Sequence, residues 1–275
     1  MRIDGTNKLA VITGGSSGIG LAIADTLAQH NWHLLLVARN PDKLAEAYRR
    51  LSNKTQVTTL SVDLTSPDSP KRLKDAINQH KPCADLIINN AGIVSAGLFD
   101  EIPLDEWQRL YHLNITALVA NLQPQLSAMK QQYKIDNQPR HIVNIASAAG
   151  LLPFMGMSAY SSTKAALIAI SECLRTELDY FNIGVSVICP DFVKTPIAAK
   201  VKLFGSMDNP KVTNSIQKMF IKQGLPATLV ASKTLTAIQQ NKSVVVVGQQ
   251  VNFAYWLKRI NPYWLYKLIS RKFSK

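Results

Sequence analysis

Tyr160 and Lys164 stand four residues apart in the stretch Ser158-Ala159-Tyr160-Ser161-Ser162-Thr163-Lys164. On a helix that interval stacks two side chains on one face, here an ammonium beside a phenol. A free tyrosine titrates near ~10, so acid–base work at neutral pH needs a drop of roughly 2–3 units, about 3–4 kcal/mol. A unit charge ~5 Å away at an effective dielectric of ~20 supplies roughly 3 kcal/mol. The spacing therefore predicts a tyrosine whose pKa is lowered by its lysine neighbour. The same interval also occurs by chance on ordinary helices, so the rest of the chain has to decide.

The elements that would position this pair can be read in order. Leu9-Ala10-Val11-Ile12-Thr13 is a short buried strand, and Gly14-Gly15-Ser16-Ser17-Gly18-Ile19-Gly20 opens a helix reaching about His30. Strand, glycine turn and helix N-terminus make a phosphate cradle. Glycines let the backbone approach a pyrophosphate, and free amides with the helix dipole hold its charge. The spacing is Gly-x-x-x-Gly-x-Gly and not the commoner Gly-x-Gly-x-x-Gly, so alone it also fits a plain tight turn. A second strand runs from His33 to Ala38, and Asn40-Pro41 caps the next helix. NAD-binding units place an acidic residue at the end of this strand to take the ribose hydroxyls. This chain has Ala38-Arg39-Asn40 there. The guanidinium of Arg39 suits a 2′-phosphate and favours NADP(H), the alternative being a surface arginine at a helix start.

Further strands are expected over residues 56–62, ending at Asp63-Leu64, and over 84–88, leading into Asn89-Asn90-Ala91-Gly92. Others follow over 141–145 with Ser147 just beyond, over 184–188 and over 243–247. Helices are expected from Ser66-Pro67, from Pro103 through Asn114 to about Tyr133, and from the Tyr160 stretch to about Phe181. Strands alternating with helices predict an α/β fold, a Rossmann-like doubly wound parallel sheet of about seven strands covered on both faces. A single domain over 1–250 carries a helical tail over 251–275. Ligands of such sheets bind beyond the strand C-termini, where all these polar residues fall.

Composition narrows the classes. The 275 residues are 47% hydrophobic, a globular balance, and no run is apolar for long enough to span a bilayer. Residues 1–8 show no apolar signal core, and Cys83, Cys173 and Cys189 are odd in number and widely spaced, as reduced thiols are. The expected location is cytoplasmic. His30, His33, His80, His112 and His141 lack ligand spacing, so no metal is expected. The net charge is +13, and no acidic residue follows Asp208 although Lys and Arg recur to the last position. Such an end faces phosphates, anionic lipid or nucleic acid, or is simply solvated; no nucleic-acid motif is present, and none of that partner class is expected.

With these residues in order, the chain resembles the short-chain dehydrogenase/reductase family over roughly residues 8 to 250. The resemblance rests on Thr13-Gly14-x-x-x-Gly18-x-Gly20, Asp63, Asn89-Asn90-Ala91-Gly92, Asn114, Ser147 and Tyr160-x-x-x-Lys164, in that order. It implies that Tyr160 trades a proton with a carbonyl oxygen as hydride is transferred, while Ser147 hydrogen-bonds that oxygen. It implies that Lys164 lowers the tyrosine pKa and holds the nicotinamide ribose, and that Asn114 holds a proton-relay water. Gly14, Ser16, Ser17, Gly18, Ile19 and Gly20 would bind the cofactor, with Asp63 at the adenine and Asn90 and Gly92 lining the adenosine side. Leu64, Ala91 and Pro190 join the cofactor-binding set, and Val193 and Thr195 would meet the carboxamide. A homodimer or homotetramer is implied as well. One departure is Cys189-Pro190-Asp191, where the family usually has Pro-Gly. Asp191 puts the backbone path there in doubt, because only glycine enters φ > 0 freely.

Leu151-Leu152-Pro153-Phe154-Met155-Gly156-Met157 is an apolar loop between Ser147 and Tyr160, fitting either a lipophilic substrate or core packing. Residues 196–225 read as an amphipathic lid (Ala198, Val201, Leu203, Phe204, Met219, Phe220) with Gly205 and Gly224 as hinges. In the tail, Phe253, Trp256, Leu257 and Ile260 form one apolar stripe, and Trp264, Leu265, Leu268 and Ile269 another. Lys258, Arg259, Lys267, Arg271 and Lys272 intersperse with them. This is the composition of a helix lying on a membrane surface, the alternative being a helix packed on the protein itself. The chain thus reads as an NADP(H)-dependent enzyme interconverting an apolar ketone and its secondary alcohol. Its glycine loop, Val37-Ala38-Arg39-Asn40 stretch and tail look similar to 3-ketosphinganine reductases, with 3-oxoacyl and steroid-type ketones equally open. The rival reading is a non-enzymatic NADP(H)-binding protein whose tail meets a partner.

Overall fold

Every residue of Leu9–Thr13 (β1) is buried, which requires a strand covered on both faces. The computed structural model of the protein describes residues 4–273, apart from the side chains of Ala198 and of residues 268–273. After β1 come α1 (Gly18–Ala28), β2 (His33–Ala38), α2 (Pro41–Leu51), β3 (Val57–Ser61), α3 (Ser69–Asn78), β4 (Leu86–Asn89) and the short β5 (Ser95–Ala96). Helix α4 (Leu104–Tyr111) passes through a π-helical turn, His112–Thr116, into α5 (Ala117–Asp136). Then follow β6 (Arg140–Ile145), α6 (Ser158–Leu178), β7 (Ile183–Pro190), β8 (Lys202–Leu203), α7 (Pro210–Gln223), α8 (Ala227–Gln239) and β9 (Val244–Val247). The tail forms α9 (Gln249–Ile260) and α10 (Pro262–Phe273).

The main sheet is parallel, with strand order β3-β2-β1-β4-β6-β7-β9. Alternation along β1 divides the core: Ala10 and Ile12 face a cluster with Ile23 and Leu27 of α1 and Val230 and Ile238 of α8. Leu9 and Val11 face Leu73, Ile77, Leu122 and Met129 of α3 and α5. The order reverses between β1 and β4, so loops after these strands diverge and leave a crevice at the sheet's C-terminal edge. This is the Rossmann-like sheet the alternation predicts.

Two local expectations differ from the structure. The helix placed at Ser66-Pro67 begins at Ser69, with Pro70 in its first turn. Ser66 instead builds the preceding turn: its amide donates to the Asp63 carbonyl at 3.0 Å and its hydroxyl to Asp68. The parallel pair β5·β8 was not foreseen, because two residues carry no periodicity. It ties the lid segment to the loop after β4, and the Lys202 ammonium reaches the buried Glu106 carboxylate at 3.2 Å.

A buried polar chain fixes how α6 sits on the sheet. Asn89 Nδ2 donates to Asn144 Oδ1 at 2.9 Å, and Asn144 Nδ2 donates to Ser171 Oγ at 2.8 Å, linking β4, β6 and α6. Replacing Asn144 strands both neighbours away from water. Asn144→Ala is expected to cost about 1–3 kcal/mol in urea unfolding; a midpoint equal to wild type would contradict this role.

Candidate active site

Tyr160 and Lys164 occupy the first two turns of α6, both buried, with the Lys164 ammonium 5.8 Å from the centre of the Tyr160 ring. Lys164 Nζ donates to the Ile145 carbonyl at 3.0 Å, so the end of β6 anchors the lysine. Ser147 follows that strand as the cap of a short 3₁₀ turn, its Oγ accepting from the Ala149 amide at 3.1 Å. Its hydroxyl and the Tyr160 phenol line the same cleft, and the hydroxyl acts to lower the phenol's pKa. Asn114 lies in the π-helical turn, a local irregularity frequent at functional sites. Its Nδ2 donates to the Ile93 carbonyl at 3.0 Å and to Thr163 Oγ1 at 3.1 Å, and its Oδ1 accepts from the Ile93 amide at 2.9 Å. Thr163 Oγ1 in turn donates to the Tyr160 carbonyl at 2.8 Å. Both amide protons of Asn114 are thus engaged in fixing the loop after β4 against α6.

A family model described as short chain dehydrogenase matches residues 8–204. The chain belongs to the short-chain dehydrogenase/reductase family. It is 32% identical over 185 residues to the rhamnolipids biosynthesis 3-oxoacyl-[acyl-carrier-protein] reductase of Pseudomonas aeruginosa, covering 66% of this chain and 72% of that protein. Against curated mycobacterial relatives that are 26% identical over 261 residues, the chain spans 43% of their length. A short-chain dehydrogenase/reductase of Burkholderia phymatum in complex with NAD superposes with a TM-score of 0.84 at 27% identity, over 95% of each chain. L-sorbose reductase of Gluconobacter frateurii, complexed with NADPH and L-sorbose, gives 0.76 at 28% identity, over 90% of this chain and 97% of that one.

In this short-chain dehydrogenase the residues present fit a dinucleotide. Gly14 has φ +64°, and a Cβ there would fall 2.7 Å from Asn90 Nδ2, so neither the turn nor the close approach tolerates a side chain. Ser17 caps α1 without a side-chain hydrogen bond and the first turn carries no acid, so the amides there stay open to an anion. One cleft brings together Gly14, Ser17, Gly18, Ile19, Asn90, Ala91 and Gly92 with Ser147, Tyr160, Lys164, Pro190, Val193 and Thr195. Asn114 lies behind this wall: a Cβ on Gly92 would sit 3.2 Å from Asn114 Oδ1 and 3.5 Å from Lys164 Nζ. Ser16 and Gly20 do not line the cleft; Gly20 is buried against the Gly14 carbonyl of the glycine turn. Arg39 and Asp63 stand apart from it at the ends of β2 and β3, 3.6 Å from each other, with Leu64 beside them. The Asp63 carboxylate is held below the usual range, first by the Thr65 amide and, more weakly, by Arg39.

Asp191 does not strain the backbone. The non-glycine residues with positive φ among those described are all asparagines, and Asp191 N donates to the Val247 carbonyl at 2.9 Å, prolonging the β7·β9 pairing. Its carboxylate accepts from the Phe192 amide at 2.9 Å, and burial raises its pKa. Sequence reasoning gave no site role to Ile93, Phe192 and Lys200, which also line the cleft. Phe192 could have been found: it adjoins the carboxamide segment, and its ring meets Phe154 at 6.1 Å and Phe220 at 5.1 Å.

The expected lowering of the tyrosine pKa is overturned. Burial pushes Tyr160 up to about 12 against the opposing Ser147 hydroxyl, and burial pulls Lys164 down to about 8. Removing both groups from water disfavours both charges. The phenol therefore stays protonated through neutral pH, and the lysine is the group that titrates. The ammonium is present below about pH 8 and lost above it. Turnover of a carbonyl substrate is accordingly expected to hold below about pH 8 and to decline above it. In Lys164→Met that limb should vanish, with a rate loss of roughly 10²–10⁴-fold. A wild-type profile flat to the ordinary lysine value of 10.5 would contradict the assignment.

Proposed function

We propose that this oxidoreductase reduces an apolar ketone to a secondary alcohol with NADPH. The observation that carries the reading is a buried Tyr160 that lines, together with Ser147 and Lys164, a cleft walled by Phe154, Met157, Phe192 and Phe220. The cleft of Gly14, Ser17, Gly18, Ile19, Asn90 and Gly92 would hold NADPH, which when bound would supply the hydride. Ser147 holds the carbonyl oxygen by a hydrogen bond, and Tyr160 Oη gives its proton to that oxygen as negative charge develops. The Lys164 ammonium, fixed by Ile145, offsets the charge left on the phenol. Asn114 and Thr163 keep α6 and the loop after β4 in register while this happens.

The cofactor preference rests on Arg39. Its side chain is 65% exposed and 3.6 Å from the Asp63 carboxylate, so the guanidinium is open to a 2′-phosphate. The aromatic cleft supports an apolar substrate, and a relative named for 3-oxoacyl reduction points the same way. Long-chain 3-oxoacyl, 3-ketosphinganine-type and steroid ketones are the classes to try. The reading includes a cytoplasmic setting, consistent with three free cysteines, and a homodimer or homotetramer, which light scattering would reveal as a multiple of the chain mass. It also includes a membrane surface as partner of the tail, where a lipid-like ketone would be met. No helix among the described residues is long and apolar enough to cross a membrane.

NADPH oxidation against those ketones is expected to exceed background, and Tyr160→Phe to reduce it by roughly 10²–10⁴-fold. Background rates with every ketone, unchanged by Tyr160→Phe, would instead leave a binding protein without catalysis. Arg39→Asp is expected to lower the NADPH/NADH preference by about 10–100-fold, the scale of one lost charge-assisted contact. An unchanged ratio would remove Arg39 from cofactor selection.

A further inference from the structure

The tail helices have two faces with opposite fates. On the inner face, Val251, Ala254, Tyr255 and Leu257 of α9, with Leu265 of α10, pack in one cluster with Leu151, Leu152 and Phe154. Lys258 Nζ donates to the Leu151 carbonyl at 2.6 Å. The loop so held is the one whose Phe154 lines the substrate cleft. The single apolar stripe expected for Phe253, Trp256, Leu257 and Ile260 is therefore split, Leu257 turning inward. Leu268, Ile269, Arg271 and Lys272 lie outside the described side chains.

On the outer face, Phe253, Trp256 and Ile260 recur at i, i+3 and i+7, and Tyr263, Trp264 and Tyr266 continue the surface onto α10. The first five of these six each leave between 61% and 67% of their surface open. Of the fifteen large hydrophobic residues exposed on the described protein, six crowd into residues 253–266, so this is a patch and not scatter. A helix packed on a globular domain normally turns polar residues outward. Here the outward side chains are mostly aromatic; Lys267 lies against the outward Tyr263, and Arg259 against the half-buried Tyr255. No carboxylate side chain follows Asp208 in the sequence. Aromatic rings with cations beside them, on a segment without acidic side chains, match the headgroup zone of an anionic bilayer. A second copy seated on the same patch would oppose cation to cation.

We infer that the outer face of α9 and α10 docks on an anionic phospholipid bilayer while the inner face, through Lys258 and Leu257, backs the Phe154 wall of the substrate cleft. The inference deepens the reading of an apolar substrate and rests on it for its consequence: the cleft is held beside the phase in which such a ketone dissolves. It also changes the test. Removing the tail would strip the Leu151–Phe154 loop of its packing and damage the site, so substitutions on the outer face are the clean probe.

The full-length protein is sedimented with phosphatidylcholine vesicles, with and without phosphatidylglycerol, beside the double variant Trp256→Ser/Trp264→Ser. Expected are binding that needs phosphatidylglycerol and weakens with salt, and a loss of about tenfold or more in the double variant. Turnover of a soluble short ketone should be equal in the two proteins, and turnover of a vesicle-dissolved long-chain ketone should drop in the variant. Absence of binding to phosphatidylglycerol vesicles, or binding indifferent to both substitutions, would overturn the inference. So would light scattering showing that the substitutions split an oligomer, since a second copy would then own the patch. If the soluble ketone is turned over but vesicles are not bound, the docking fails and the enzyme reading stands. If vesicles are bound as expected and no ketone is reduced, the docking stands and the enzyme reading fails.

Discussion

Lys164 is a buried cation that donates a hydrogen bond to the Ile145 carbonyl. A charge without water is tolerated only where its surroundings are fixed, and the surroundings here come from three separate elements. Strand β6 supplies Ile145 and delivers Ser147; the loop after β4 supplies Gly92, whose lack of a side chain leaves room for the Asn114 carboxamide; the π-helical turn supplies that Asn114. Tyr160 then has one place to be, a turn earlier on α6 and next to the Ser147 hydroxyl. The buried Asn89–Asn144–Ser171 chain ties β4, β6 and α6 together, so β6 and α6 serve both packing and chemistry.

That arrangement sets the division of labour between the two titratable groups. Burial keeps the phenol neutral and draws the lysine toward the physiological range, which suits proton donation to a developing alkoxide. The lysine acts on the charge that appears once the phenol has given up its proton, and does not prepare a phenolate beforehand.

Much of this was legible in the sequence. The parallel sheet followed from buried strand runs alternating with helices, and the order of Gly14, Asn90, Asn114, Ser147, Tyr160 and Lys164 was enough to place them at one edge of it. What escaped was set by tertiary surroundings. The Tyr160–Lys164 spacing gives their separation but not their distance from water, so the direction of the tyrosine shift came out reversed. Asp191 looked like a strained substitute for glycine, whereas the Val247 carbonyl simply takes its amide in an extended strand. Apolar periodicity in the tail could not tell Leu257, which faces the protein, from Trp256, which faces out. The β5·β8 pair was invisible because pairing of two residues depends on where the lid returns, not on its pattern.

The central claim is that burial keeps Tyr160 protonated through neutral pH. Ultraviolet difference titration of tyrosinate, wild type minus Tyr160→Phe, reads that directly. The account predicts a flat difference up to and beyond 10.0, the ordinary tyrosine value, because burial pushes this residue up to about 12. A tyrosinate signal assignable to Tyr160 at neutral pH would contradict it.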